Sequence, residues 1–428
     1  MAPSYKGLPN PANILSTAPF LSCFLEAILN RTTNSFVPTV VFALALGGIS
    51  LGAAIPQTPP QQAPPPQRLG QAQPQPPRQN PRLQAPMDPD RARQLYVSKD
   101  PKDQSLGTDY QADIAAREKA AARYPELCKG IIDFSTVKYR SNVGDLDVPA
   151  YLFQPIQKRG PKGHAALVWV HGGVHGNWGI SMFPFVKEAV ARGYVVIAPD
   201  YRGSTGYGEA YHQAIDYGGN EVEDVISAVD FLKTLPHVDP ARIGMMGWSH
   251  GGYITLLSLF REKHPFAAGA AIVPVTNLVF RLSYKGPSYQ WDFSTQKAIQ
   301  GLPFEKNDIY IKRSPLYHVD KLQVPLLVHV ATNDLDVNYV EDQQIVDALR
   351  SRKPDLAETK TYVDPPRWGA SGGHAFSRRV DATTLQRVES PEQIDSWNRT
   401  WTFFEWVLRP YEDRSKPVQY VDQAPRGR

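Results

Sequence analysis

Cysteine is almost missing from this chain. Its 428 residues hold two, Cys23 and Cys128, far apart and outside any C-x-x-C spacing, so they supply neither a disulfide framework nor a cysteine-ligated zinc site. A dominant charge is lacking too: 46 Lys and Arg against 42 Asp and Glu leave a net charge of +4. The basic residues are scattered rather than gathered into the stripe that nucleic-acid binding needs, which argues against a nucleic-acid partner. Nor is there a helical metal pair. His171 and His175 lie four apart, but Gly172 and Gly173 between them break the helix that would bring both rings to one face. No cofactor is expected.

What remains is a globular composition, 42% hydrophobic and 21% charged, sufficient for one large core or two smaller ones. The first ninety or so residues stand outside it. Arg31 precedes the uncharged apolar run from Phe36 to Ile55, which ends in Gly52, Ala53 and Ala54; cation, apolar stretch and small residues are the order of a secretory signal, and the run is long enough to stay as a membrane anchor. The chain is therefore expected to be exported, secreted or periplasmic, or tethered to a membrane. Because about thirty residues precede the cation, a translation start downstream of Met1 is expected. Residues 56–87 are rich in proline and glutamine and read as an extended linker that cannot build a core. Residues 88–130 read as one or two surface helices leading into the domain, 131–410 as the domain itself, and 411–428 as a tail.

Within 131–410, strand-like apolar runs alternate with helical patterns, which predicts a doubly wound, mainly parallel eight-stranded α/β sheet with helices on both faces. Strands are expected at Ser135–Arg140, Ala150–Gln154, Ala166–Val170, Val195–Ala198, Ile243–Gly247, Gly269–Val273, Leu326–Val330 and Lys360–Val363. Ligands of such sheets bind beyond the carboxyl ends of the strands, and the chemistry-bearing residues cluster after those ends.

The most telling segment is Gly247-Trp248-Ser249-His250-Gly251-Gly252-Tyr253, which follows the apolar run Ile243 to Met246 and precedes the helix-compatible Tyr253 to Leu259. A serine between glycines at a strand-to-helix turn has the form of a nucleophile elbow. Upstream, Val222, Val225, Ile226, Val229, Leu232 and Leu235 recur at helical spacing, and Asp239-Pro240-Ala241-Arg242 reads as a turn opening the strand. After the strand Leu167–Val170, His171-Gly172-Gly173 forms a glycine-rich loop whose backbone N–H groups can turn toward an oxyanion. After Leu326–Val330 come two carboxylates, Asp334 and Asp336, either of which can orient a histidine; Asp334 is preferred. The loop Gly369-Ala370-Ser371-Gly372-Gly373-His374 presents that histidine. The chain order Ser249, Asp334, His374 is that of an α/β-hydrolase and differs from the chymotrypsin and subtilisin orders.

These pieces resemble the catalytic domain of the prolyl oligopeptidase family of serine peptidases. The resemblance rests on HGG at 171–173, DYRGSTGYG at 200–208, DVISAVDFLKTLPHVDPARIG at 224–244, GWSHGGY at 247–253, SPLYHVDKLQVPLLVHVATNDLDV at 314–337 and GGHAF at 372–376. It implies Ser249 as nucleophile, His374 as base and Asp334, three residues before Val337, as acid. It implies an oxyanion hole from the backbone N–H of His250 and one from the Gly172–Gly173 loop. The stretch before residue 130 is too short and too poor in strands for the β-propeller of larger members, so the chain is expected to resemble an isolated catalytic domain. The expected reaction is peptide-bond hydrolysis through an acyl-enzyme, with a small ester as the alternative substrate and a non-catalytic binding protein on the same fold as the third reading. An acyl pocket is expected between Val275 and Ile311, where Tyr284, Tyr289, Trp291 and Phe293 cluster.

Overall fold

In the computed structural model, residues 108–416 are described. The leader, the proline- and glutamine-rich linker and the end of the tail lie outside those residues, as does the first part of the lead-in.

Eight strands build one sheet: β1 (Asp133–Arg140), β2 (Asp147–Gln154), β3 (His164–Val170), β4 (Val195–Pro199), β5 (Val238–Trp248), β6 (Ala268–Ile272), β7 (Leu326–Ala331) and β8 (Ala357–Tyr362). Their spatial order is β1-β2-β4-β3-β5-β6-β7-β8. β1 and β2 run antiparallel to their neighbours, and every pairing from β4 to β8 is parallel. Each expected strand is present within a few residues.

The sheet is covered on both sides because its central strands are apolar on both faces, as parallel strands in such a sandwich must be. All seven residues of β3 are buried. Ala166, Val168 and Val170 join one core with Val225, Val229 and Leu232 of the helix Asn220–Lys233 and Ile345 of the helix Tyr339–Arg352. The alternate residues Leu167 and Trp169 join the other, with Phe185 of the helix Phe183–Ala191 and Trp397 and Trp401 of the helix Pro391–Leu408. Alternation with period two sends the neighbours in sequence to opposite sides. Burying an aromatic side chain of this size contributes about 2–3 kcal/mol, and the second core concentrates such groups: the rings of Trp169 and Trp248 stack at 6.0 Å and Trp248 meets Trp397 at 5.3 Å.

Two expectations need correction. Asp239 to Arg242 is not a turn ahead of β5 but lies within it, where the register against β3 shifts: His164 pairs with Val238 and Ala166 with Ile243. The turn chemistry is still there, since Asp239 Oδ1 accepts from the Ala241 N–H at 3.0 Å and Oδ2 from Arg242 Nε at 2.8 Å, so the segment bulges without ending the strand. Val273 falls just past the end of β6, with φ of 44°. In the lead-in, helices Tyr110–Ala121 and Tyr124–Cys128 are described.

Candidate active site

Ser249 stands where β5 gives way to the helix His250–Leu259, with φ of 55° and ψ of −118°. A non-glycine residue in this sparsely populated region costs on the order of 1–3 kcal/mol and is held only when its surroundings fix it. They do so from both sides: the Ser249 N–H donates to Ile272 O of β6 at 2.9 Å, and Ser249 O accepts from the Tyr253 N–H at 2.9 Å. Glycine at 247 and 251 follows from space, since a Cβ at 247 would lie 2.4 Å from the carbonyl carbon of Gly251 and one at 251 would lie 2.3 Å from Val170 O.

The glycine-rich loop after β3 approaches this elbow closely. A Cβ on Gly172 would stand 2.8 Å from Trp248 O and 3.4 Å from Ser249 Cβ, so only glycine lets the loop backbone come this close to Ser249. The tract Tyr201 to Gly208, to which sequence reasoning gave no structural role, pins that loop. Tyr201 Oη donates to Gly173 O at 2.9 Å, and the Thr205 N–H donates to Gly176 O at 2.9 Å. His171 stacks on Tyr201 at 4.3 Å and bonds through Nε2 to Ser204 Oγ at 2.8 Å. His175 bonds through Nδ1 to Gly203 O at 2.8 Å. Both imidazoles are thereby committed to the loop. Burial lowers the pKa of each, opposed at His171 by the nearby Asp200 carboxylate.

Asp334 and His374 meet. His374 Nδ1 lies 2.7 Å from Asp334 Oδ2, and both side chains are buried. The other oxygen, Oδ1, accepts from the backbone N–H groups of Asp336 at 2.8 Å and Val337 at 2.9 Å. With three donors and no solvent, the Asp334 carboxylate has one orientation. Asp336 differs in kind: its side chain is 41% exposed, bonds through Oδ1 to Lys285 Nζ, and places Oδ2 3.4 Å from His374 Nε2. Burial pushes its carboxyl up, but His374, Arg281 and Lys285 outweigh that and hold it at about 2. The residue that orients the imidazole is thus Asp334.

No hydrogen bond joins the Ser249 hydroxyl to the His374 ring among the described residues. The two loops are tied one residue and three residues away, where Trp248 Nε1 donates to Ser377 Oγ at 2.7 Å. Trp397 Nε1 holds the same residue through its carbonyl at 2.7 Å. Ser377 carries no sequence signal beyond its position after the histidine. Of the expected pocket aromatics, Trp291 and Phe293 are buried, whereas Tyr284 and Tyr289 accept from Arg281 at 2.9 and 2.8 Å.

Behind the elbow lies a pair that sequence reasoning missed. His250, which is 1% exposed, finds no hydrogen-bond partner for either ring nitrogen among the described residues. Its Nε2 is 3.5 Å from Glu221 Oε1. Burial, with some help from Arg281, pushes the imidazole down to about 3, so it is neutral. Glu221 is fully buried and accepts from the N–H groups of Gly218 and Gly219. Burial raises its carboxyl to about 8 against those donors. A carboxyl raised in the folded state stabilises the fold below its unfolded pKa near 4.5, and that contribution is lost as pH rises toward 8. The wild-type melting temperature should therefore fall more steeply between about pH 5 and about pH 8.5 than that of Glu221→Gln. Parallel curves in a thermal-shift series would refute the assignment.

Residues 181–382 match the model of the prolyl oligopeptidase family. Over 264 residues the chain is 30% identical to the uncharacterized peptidase YuxL of Bacillus subtilis (strain 168), covering 61% of this chain and 38% of that protein. It is 32% identical over 218 residues to dipeptidyl aminopeptidase BIII of Pseudoxanthomonas mexicana, covering 50% and 30% respectively. Among solved structures, a Mycobacterium tuberculosis puromycin-hydrolyzing peptidase aligns with a TM-score of 0.51 at 27% identity, over 64% of this chain and 40% of that one. The chain thus spans well under half the length of each of these relatives.

Proposed function

Because this α/β-hydrolase domain belongs to the prolyl oligopeptidase family of serine peptidases, we propose that it hydrolyses peptide bonds, with Ser249 as nucleophile, His374 as general base and Asp334 as the acid that orients it. The observation that carries this reading is the 2.7 Å bond between Asp334 and His374, on the same sheet edge as the strained serine. β5 and β7 flank β6, so their ends stand two strand spacings, about 9–10 Å, apart. An imidazole bonded on both sides bridges about 8 Å between oxygens, a span that fits this separation once the side chains reach inward. In a substrate-free serine hydrolase the serine–histidine bond is commonly long and tightens in the complex.

In the reaction, His374 Nε2 takes the Ser249 proton as the serine oxygen attacks the peptide carbonyl, and the buried Asp334 carboxylate stabilises the imidazolium that forms. The tetrahedral oxyanion faces the backbone N–H of His250 and an N–H of the Gly172–Gly173 loop. His374 then gives its proton to the departing amine, leaving an acyl-serine that water cleaves by the same steps. Parallel rates on a peptide anilide and an acyl ester of the same acid test the substrate class. Turnover of both is expected; ester cleavage with an anilide rate equal to that of buffer would favour an ester hydrolase.

A further inference from the structure

We propose that Asp336 is a second counter-ion of His374, a positioning residue that sets the acid limit of activity from the side opposite Asp334. The inference rests on the triad reading and deepens it. Asp334, an acceptor, fixes the proton of a neutral His374 on Nδ1, which leaves a lone pair on Nε2. Asp336 Oδ2 lies 3.4 Å from that nitrogen. Two acceptors in this arrangement repel, and a proton on Nε2 turns the repulsion into attraction. Asp336 thus favours the charged ring, the state through which acyl transfer passes. The same field favours the charged ring before substrate binds, and a charged ring cannot take the serine proton. Asp336 therefore exchanges activity at low pH for stabilisation of the imidazolium once it forms.

The strength of this field is set by what surrounds Asp336. Lys285 Nζ bonds its Oδ1, Arg281 Nη2 stands 4.0 Å from that oxygen, and Arg281 Nη1 also donates to the Asp336 backbone carbonyl at 3.4 Å. Arg378, on the turn that carries His374, is felt electrostatically by both Asp336 and Asp334. From the helix Tyr339–Arg352, Glu341 draws on Arg281 at 3.5 Å and accepts from Tyr284. Asp342 is fully buried with neither oxygen bonded among the described residues, and burial, reinforced by Glu341 and Asp334, pushes its carboxyl well up. Three cations temper Asp336 without cancelling it, because its Oδ2 is left to the imidazole.

Two variants then act in opposite directions on the acid limb of the kcat/KM profile. Asp336→Asn removes the charge and moves the limb to lower pH. Lys285→Met removes the tempering cation and moves it to higher pH. An opposite charge within about 4–6 Å of a titrating group is worth about one to three pH units when well buried, and the partial exposure of Asp336 sets the expectation at the lower end. The two limbs should differ by about one pH unit, Asp336→Asn being the lower. A difference below about half a unit, or one of opposite sign, overturns the proposal. A merely structural role would lower both rates without separating the limbs. Failure of the triad reading is a distinct result, since it would show as a fluorophosphonate-inert wild type.

Discussion

Ser249→Ala will lower kcat/KM on a peptide anilide by about 10⁵ to 10⁶-fold, while the melting temperature stays within about 2 °C of wild type. The size of the rate effect follows from the loss of the covalent route: without the hydroxyl, the imidazole and the oxyanion donors assist only direct attack by water. The survival of the fold follows from the contacts. The backbone of residue 249 makes the bonds to Ile272 and Tyr253, and its hydroxyl makes none with His374. Alanine keeps the Cβ and the backbone conformation, so nothing that holds the elbow is lost. Retained turnover in a folded Ser249→Ala protein would remove the nucleophile assignment.

Asp334→Asn should cost about 10⁴-fold in kcat at neutral pH, as in comparable triads, and here the cause can be traced to atoms. The backbone N–H groups of Asp336 and Val337 both donate to Oδ1, so the asparagine oxygen must occupy that position. Its NH₂ group is then left facing His374 Nδ1, where it donates instead of accepts. The ring proton moves to Nε2, the atom that must accept the serine proton. The negative charge of Asp336, whose Oδ2 lies 3.4 Å from Nε2, favours a proton there and reinforces the unproductive tautomer. The double variant Asp334→Asn/Asp336→Asn should therefore recover part of the lost activity. An Asp334→Asn enzyme within about tenfold of wild type would show that the tautomer is not set by this carboxylate.

Much of the fold was legible because parallel strands covered on both faces leave long apolar runs, and β3, β4, the second half of β5, β6 and β7 are such runs punctuated by turn residues. The placement of Ser249, Asp334 and His374 after strand ends was legible because each follows a strand in a loop of small or polar residues, and the structure brings Asp334 and His374 together. The exception in β5 is instructive: Asp239-Pro240 carries genuine turn chemistry, yet the neighbouring strand accommodates it as a bulge, and no local pattern reports what a neighbouring strand will tolerate. The Glu221–His250 pair was hidden for a similar reason. Glu221 sits in the first turn of an amphipathic helix, where an acid is ordinarily solvated, and only the packing of that helix under the elbow buries it. The contact of Asp336 with His374 was also out of reach, because sequence offered two acids two residues apart and no means of telling which nitrogen each would face.

The central claim is tested most directly by mass spectrometry after treating the folded protein with a fluorophosphonate. The account predicts one covalent adduct, on the peptide that contains Ser249, abolished in Ser249→Ala and slowed by about 10³-fold or more in Asp334→Asn. Absence of an adduct from folded wild-type protein, or an adduct on a different serine, would contradict it.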